Sequence, residues 1–142
     1  MDRRYMKLDL IKQGGFANIY NGRDFKTGKK VVIKELRDRT IDSIMRFSRE
    51  ERILREHVGN PHVIQILDSN LQDFPPYLVL EYATHGSVEQ YIGKLEWQRG
   101  AYWLWQISYG LGQIHRQDGF HRDIKPPNIL LFAGHSEIVK LS

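Results

Sequence analysis

Strand-like apolar runs make up most of the first 82 residues, and one helical pattern interrupts them. Apolar and charged residues alternate around positions 6–10, as in a half-buried strand, and Val-Val-Ile at 31–33 is typical of a strand buried on both faces. Glycine or proline turns separate these runs, so an antiparallel meander is expected to begin the fold. The predicted strands cover residues 6–10, 18–25, 31–33, 63–67 and 77–82.

Two helices are predicted, one on each side of a polar joint at residues 84–87. The first has N-cap side chains between positions 40 and 43 and ends at Gly59. Its apolar face consists of Ile44, Phe47, Leu54 and Val58. The second helix is long, and Gly110 and Gly112 weaken its helix propensity, which favours close packing against a neighbour there. The core face of this helix is predicted to be Ala101, Leu104, Ile107, Leu111 and Ile114.

The remaining pattern is a polar loop at 117–128 followed by two short strands at 129–132 and 138–141. The chain therefore has the pattern of an α+β protein, in which a five-stranded antiparallel sheet with one helix precedes the start of a mainly helical region. We place the boundary between the two parts after residue 83, which gives parts 1–83 and 84–142.

Length and composition limit the classes of function. The 142 residues suit one domain, and 41% hydrophobic with 27% charged residues excludes a disordered chain. The absence of cysteine excludes disulfides and thiolate metal sites. The formal charge of +4 is scattered and forms no stripe that could follow a nucleic-acid backbone. No apolar stretch suits a signal sequence or a membrane span, so we expect a cytoplasmic chain without nucleic-acid partners or membrane segments.

The most specific segment is residues 121–128, which read His-Arg-Asp-Ile-Lys-Pro-Pro-Asn between a predicted helix and a predicted strand. Asp123 offers a carboxylate that can accept a hydroxyl proton, and Lys125 can hold a phosphate. Asn128 offers an amide oxygen that can ligate Mg²⁺. These three groups lie together in one loop that a rigid scaffold can present, which makes the segment a candidate functional site.

The segment resembles the catalytic loop of eukaryotic-type protein kinases, H-R-D-x-x-x-x-N, at every defined position. The resemblance implies that Asp123 is the catalytic base and that Asn128 binds Mg²⁺ beside the ATP phosphates. It also implies that Arg122 senses phosphorylation of the activation segment. Lys125 marks the serine/threonine class, in which it contacts the transferred phosphate. The sheet then corresponds to a kinase N-lobe with its hinge, and the second part corresponds to an incomplete C-lobe.

A lysine that ends a buried strand is costly unless it meets an anion, and Lys34 follows Val-Val-Ile in this way. The run resembles the family's V-A-I-K, which implies that Lys34 grips the α- and β-phosphates and pairs with a glutamate on the next helix. Glu50 has the family's spacing from Phe47 and Leu54. Its neighbour Glu51 is the other candidate.

The kinase glycine-rich loop, G-x-G-x-x-G-x-V, corresponds to residues 12–19. Only the central glycine, Gly14, is retained, because the first position is Lys12 and the third is Ala17. We expect a loop that covers the nucleotide and binds it less tightly than the family pattern does. The loop residues expected at the nucleotide are Gly14, Gly15, Phe16, Ala17 and Ile19.

Residues 78–83, Leu-Val-Leu-Glu-Tyr-Ala, resemble the kinase hinge. Leu80 falls at the gatekeeper position, and the resemblance implies that backbone groups of Glu81 and Ala83 bond the adenine edge. The side chains expected to sandwich the adenine ring are Ile11, Ile19, Val32 and Leu130.

Residues 139–142 resemble the strand that leads directly into the D-F-G motif, so the resemblance covers about half of a kinase domain. The aspartate of that motif holds a magnesium ion, and we expect its loss to lower the rate by several orders of magnitude. The expected function is transfer of the ATP γ-phosphoryl group to Ser or Thr of a protein substrate, here by a truncated domain. A catalytically dead nucleotide-binding or regulatory fragment is the alternative, and Ile-Lys-Pro at 124–126 disfavours a small-molecule phosphotransferase.

Overall fold

The computed structural model describes residues 4–84, 86–91, 93–94, 96–116, 129–132 and 138–141. These residues form two compact units. The first takes in the described residues up to Glu56 together with residues 65–82. The second takes in residues 57–64 and the described residues from Ala83 onward, so a short segment near position 60 lies with the later part of the chain.

The first unit is a five-stranded antiparallel sheet with one helix, as predicted. The spatial order of its strands is β1-β2-β3-β5-β4, so β1 and β4 are the edge strands. In chain order the elements are β1 (Tyr5–Gln13), β2 (Ala17–Asp24), β3 (Lys30–Leu36), α1 (Ile41–Glu56), β4 (Ile66–Asn70) and β5 (Tyr77–Glu81).

The strand register divides the sheet into two faces. Ile19 lies opposite Lys34 and Val32 lies opposite Leu80, which puts all four residues on one face, since alternate residues of a strand share a face. The residues between them point the other way and form an apolar cluster. The members of this cluster are Tyr5, Val31, Ile33, Tyr77 and Val79.

A side-chain bond joins the two edges of the sheet. The Tyr5 hydroxyl on β1 donates to Asp68 Oδ2 on β4 at 2.6 Å, although these strands are at opposite ends of the strand order. Burial, followed by this hydrogen bond, raises the pKa of Tyr5 above its usual value. The remainder of β1 is exposed, including Met6, Leu8 and Leu10, so the prediction of a half-buried first strand was wrong.

The buried face of α1 differs in part from the predicted one. Phe47 and Leu54 are buried, but Ile44 is 45% exposed, and Val58 is 60% exposed and lies beyond the end of the helix. Ser43 takes the first position on the buried face. Its hydroxyl can be buried because it donates to Asp38 Oδ2 at 2.7 Å, a partner that the apolar pattern could not reveal.

The second unit contains a 3₁₀ turn at Val88–Tyr91, the long helix α2 (Trp97–Arg116) and the hairpin of β6 (Ile129–Phe132) with β7 (Ile138–Leu141). Residues 62–64 run alongside β7, since Ile64 N–H donates to the Leu141 carbonyl and Leu141 N–H donates to the His62 carbonyl, at 2.7 and 2.8 Å. The predicted strand at 63–67 is therefore divided. Its first residues pair with β7, and β4 begins only at Ile66.

The predicted core face of α2 is wrong at Ala101 and Leu104, which are exposed, whereas Ile107 and Leu111 are half-buried. Among the residues of this helix whose burial the structure describes, which leave out Ile114, the buried ones are Trp103, Gln106 and Gly110. Gln106 is a polar core residue because its side-chain oxygen accepts the N–H of Val139 at 2.8 Å. A Cβ at Gly110 would lie 2.9 Å from the carbonyl oxygen of His62, which confirms close packing at this glycine.

The exposed side of α2 carries large apolar side chains. Tyr102, Trp105 and Tyr109 are exposed, and their rings stack along the helix. Trp103 is buried and has Tyr91 against its ring. Within the described ranges, no helix has both the length and the apolar character needed to cross a bilayer.

Candidate functional site

An ion pair joins β3 to α1 in the first unit. Lys34 Nζ lies 2.6 and 2.8 Å from the two carboxylate oxygens of Glu50. The Lys34 side chain is only 18% exposed and that of Glu50 is 28% exposed, so the pair is largely shielded from water. An ammonium group that is removed from water needs such a partner, and the contact with both oxygens fixes its direction.

The structure distinguishes the two adjacent glutamates. Glu51 points to another side of α1, where Arg55 Nε and the hydroxyl of Ser69 both donate to its Oε1. Successive residues of an α-helix lie about 100° apart, so only one of the two can face β3. Glu50 is therefore the partner of Lys34 in this structure.

The loop between β1 and β2 lies over this lysine. The ring of Phe16 has Lys34 Nζ 5.4 Å from its centroid, which is a cation–π distance. Gly14 N–H donates to the Ala17 carbonyl at 2.8 Å and closes the loop. A Cβ on Gly14 would lie 2.8 Å from that same carbonyl oxygen, so the turn requires glycine there.

The sheet places several predicted site residues on the face that carries Lys34. Ile19, Val32 and Leu80 share this face by register, and Leu80 is buried. Ile11, near the end of β1, is exposed. Glu81 ends β5, and its side chain is used within the unit, because Oε1 accepts the N–H of Gln65 at 2.8 Å.

Two predicted nucleotide contacts belong to the second unit. Ala83 is its first residue after the break, and its carbonyl accepts the N–H of Gly86 at 3.4 Å. Leu130 is half-buried in β6 and bridges to Ser87. The structure therefore describes Ala83 and Leu130 within the second unit by itself.

The catalytic-loop residues Arg122, Asp123, Lys125 and Asn128 lie outside the described residues. Among those that are described, no three His, Cys, Asp or Glu side chains come together as a metal site. Asn128 is the only magnesium ligand predicted from the sequence. The part of the predicted site that the structure describes is therefore Lys34 with its partner Glu50 and the overlying loop.

Arg37 and Asp38, just after β3, are contacts of the site that were not predicted from the sequence. Arg37 Nη2 donates to the carbonyls of Gly14 and Gly15, at 2.8 Å in each case. Asp38 binds the Ser43 hydroxyl, and this bond, ahead of the N–H of Thr40, holds the pKa of Asp38 below its usual value. No sequence periodicity predicted a role for Arg37 and Asp38, because charged residues are frequent throughout this stretch.

Comparison with known families covers nearly the whole chain. Residues 5–142 match the protein kinase domain family. The chain belongs to this family. Its members use ATP and Mg²⁺, and the five-stranded sheet with one helix is the N-lobe of their fold.

Curated relatives support the same assignment. Cell division control protein 2 homolog 3 of Trypanosoma brucei brucei is 30% identical over 141 residues, which are 94% of this chain and 44% of the relative. Serine/threonine-protein kinase PrkC of Bacillus subtilis is 34% identical over 134 residues, 90% of this chain and 20% of the relative. CBL-interacting protein kinase 11 of Oryza sativa is 32% identical over 136 residues, 90% and 26% respectively. This kinase-family chain thus spans less than half the length of these relatives.

Proposed function

We propose that this chain acts in a protein serine/threonine kinase, in which it supplies the ATP-holding lobe and the catalytic loop. The observation that carries the proposal is the Lys34–Glu50 ion pair beneath the Phe16 loop. A structural surface lysine has no need of a carboxylate that grips it from the next element with both oxygens. A lysine that must point at a polyphosphate does need one, since its direction decides where the charge acts.

Binding of ATP follows from the groups on this face of the sheet. The ammonium of Lys34 would bind the α- and β-phosphates, and the loop of Gly14, Gly15 and Phe16 would cover them. We propose that Ile11, Ile19, Val32 and Leu130 hold the adenine ring, with Leu80 as gatekeeper. Backbone groups of Glu81 and Ala83 would bond the edge of the ring.

Phosphoryl transfer is proposed for the catalytic loop. Asp123 would accept the proton of the attacking hydroxyl as its oxygen bonds to the γ-phosphorus and the bond to the leaving ADP oxygen breaks. Lys125 would neutralise charge on the transferred group. Asn128 would hold Mg²⁺, which supplies charge neutralisation at the phosphates when it is bound.

The substrate class is a protein that carries an accessible serine or threonine, as the Lys125 signature implies and as the name of the serine/threonine-protein kinase PrkC describes for that relative. We further propose a cytoplasmic location and no nucleic-acid partner, on the scattered charge of the chain. ATP and Mg²⁺ are the proposed small partners.

Transfer of phosphate from labelled ATP to a generic protein substrate tests the proposal. The chain would be compared with a version extended through a D-F-G segment, and each with its Asp123→Asn variant. We expect transfer from the extended version, and a loss of about 10³-fold on substitution of the base. ATP binding without transfer in either version would favour the non-catalytic nucleotide-binding alternative. Equal transfer by both versions would contradict the expected role of the added segment.

A further inference from the structure

The segment that follows β3 holds the tip of the β1–β2 loop through the carbonyls of the loop. Arg37 Nη2 donates to the carbonyl oxygens of Gly14 and Gly15, at 2.8 Å each. The backbone N–H groups of Arg37 and Asp38 both donate to the carbonyl of Phe16, at 2.8 and 3.0 Å. Two consecutive residues therefore bind three consecutive carbonyls of the loop.

The backbone N–H groups of the loop are only partly used, and that of Gly14 donates to the Ala17 carbonyl. Within the described ranges, the N–H groups of Gly15 and Phe16 have no hydrogen-bond partner. Carbonyl oxygens carry partial negative charge and repel phosphate, whereas backbone N–H groups attract it. Because the Arg37 guanidinium binds the carbonyls of Gly14 and Gly15, these carbonyls repel a phosphate less. The N–H groups of Gly15 and Phe16 are then available to donate to it.

The segment that holds the loop is itself rigidly placed. Leu36, which precedes it, is buried, and its N–H donates to the Pro76 carbonyl at 2.9 Å. Thr40 caps α1 by accepting the N–H of Ser43 at its Oγ1, and Asp38 ties this cap to the segment by accepting the N–H of Thr40 at 3.1 Å and the hydroxyl of Ser43 at 2.7 Å. The position of the loop tip is therefore fixed relative to β3 and α1, the two elements that carry Lys34 and Glu50.

We propose that Arg37 is a positioning residue for phosphate binding. It acts through the carbonyls of Gly14 and Gly15 and holds the loop with its unused N–H groups available to the nucleotide. The proposal rests on the proposed function, because the phosphate is that of the bound nucleotide. Arg37 lies outside all of the sequence motifs described above. It holds a loop that lacks two of the three glycines of its family pattern.

The same sheet offers a matched control. Arg23 is also exposed, and its Nη1 donates to a glycine carbonyl, that of Gly28 in the β2–β3 turn, at 3.3 Å. Arg23→Met and Arg37→Met remove the same charge and the same kind of bond from two turns. Only the second affects the loop over Lys34.

Calorimetric titration with ADP and with adenosine, on the full 142-residue chain, separates phosphate contacts from base contacts. We expect Arg37→Met to weaken ADP binding about tenfold, since a charge-assisted hydrogen-bond pair is lost, and to leave adenosine binding unchanged. Arg37→Lys should stay within about threefold of the original chain, because an ammonium can also donate to both carbonyls. Arg23→Met should change neither affinity.

Hydrogen exchange provides a readout that needs no nucleotide. We expect the amides of Gly14 and Asp38, which bond within this loop system, to exchange about tenfold faster in Arg37→Met and at the original rate in Arg23→Met. Unchanged exchange, or equal losses for ADP and adenosine, would overturn the positioning role. If the original chain bound neither ligand, the proposed function would fail with the phosphate role, and exchange alone would still decide whether Arg37 holds the loop.

Discussion

The two ends of β2 are both tight turns, but their polar groups are satisfied in opposite ways. At the Asp24 end, the carboxylate accepts both Nε and Nη2 of Arg4, at 3.0 and 2.8 Å. It also accepts the N–H of Lys26 and the hydroxyl of Thr27, and the Gly28 N–H donates to the Asp24 carbonyl. The Asp24 carboxylate is therefore the shared acceptor for Arg4 and for two residues of the turn.

At the Gly14 end, the loop is held from outside by Arg37, and two of its N–H groups stay unused. A closed network stabilises the fold, because every strong acceptor has its donors. An open one leaves binding capacity for something that is not part of the chain. The comparison supports the proposal that the Gly14 end, beside Lys34, is the binding end, whereas the Asp24 end is structural.

The largest expected effect is at the binding end. Lys34→Met should lower ATP affinity by about 10- to 100-fold, since a charge-assisted contact with phosphate is lost. Lys29→Met, in the closed turn, is the matched control and should bind ATP normally. Titration calorimetry measures both, and normal ATP binding by Lys34→Met would contradict the assignment of the two ends.

The next effect belongs to the closed end. Asp24→Ala should lower the melting temperature by roughly 5–10 °C, because Arg4 and the two turn donors lose their shared acceptor. Its ADP affinity, measured below the transition, should match that of the original chain. A loss of affinity without a loss of stability would reverse the roles given to the two turns.

Two adjacent glycines sharpen the description of the open loop. Gly14→Ala places a Cβ 2.8 Å from the Ala17 carbonyl oxygen and should lower ADP affinity about three- to tenfold by displacing the loop. A Cβ on Gly15 meets no heavy atom within 4 Å, so Gly15→Ala should be close to neutral. Equal affinities for the two variants would show that the loop geometry does not control binding.

The smallest expected effect is a dependence of stability on acid. The bonds from Arg4 hold the pKa of Asp24 well below its usual value, so the folded state favours the carboxylate. Its stabilising contribution is complete above the unfolded pKa of about 4 and is lost as pH falls below it. The difference in melting temperature between the original chain and Asp24→Asn should therefore shrink from pH about 5 to pH about 3. A constant difference would mean that the carboxylate charge is not involved.

The sequence predicted the order of elements and the family, because strand periodicity and the spacing of Lys34 from the loop at 121–128 are local or fixed by motif. Helical spacing from Phe47 and Leu54 favoured Glu50 over Glu51 as the partner of Lys34, and in the structure Lys34 pairs with Glu50. Arg37 contacts the carbonyls of Gly14 and Gly15, which are distant in the sequence, and no sequence pattern predicted this contact.

Burial was predicted less well than element type. Apolar spacing selected Leu104 on α2, but in the part of this helix whose burial is described the buried residues are Trp103, Gln106 and Gly110. Gln106 is inside because Val139 N–H needs its acceptor, and Gly110 is inside because the His62 carbonyl approaches too closely for any side chain. A hydropathy pattern carries information on neither kind of burial.

The sequence by itself determined that this chain belongs among protein kinase domains, with a buried-strand lysine and the H-R-D-x-x-x-x-N loop that define phosphoryl-transfer chemistry. Only the tertiary structure decided that Glu50 directs that lysine and that Arg37 holds the loop above it. The physical reason is range. Periodicity and motif spacing act along the chain, whereas these hydrogen bonds join residues 16 and 23 positions apart and form only when the strands and the helix have packed.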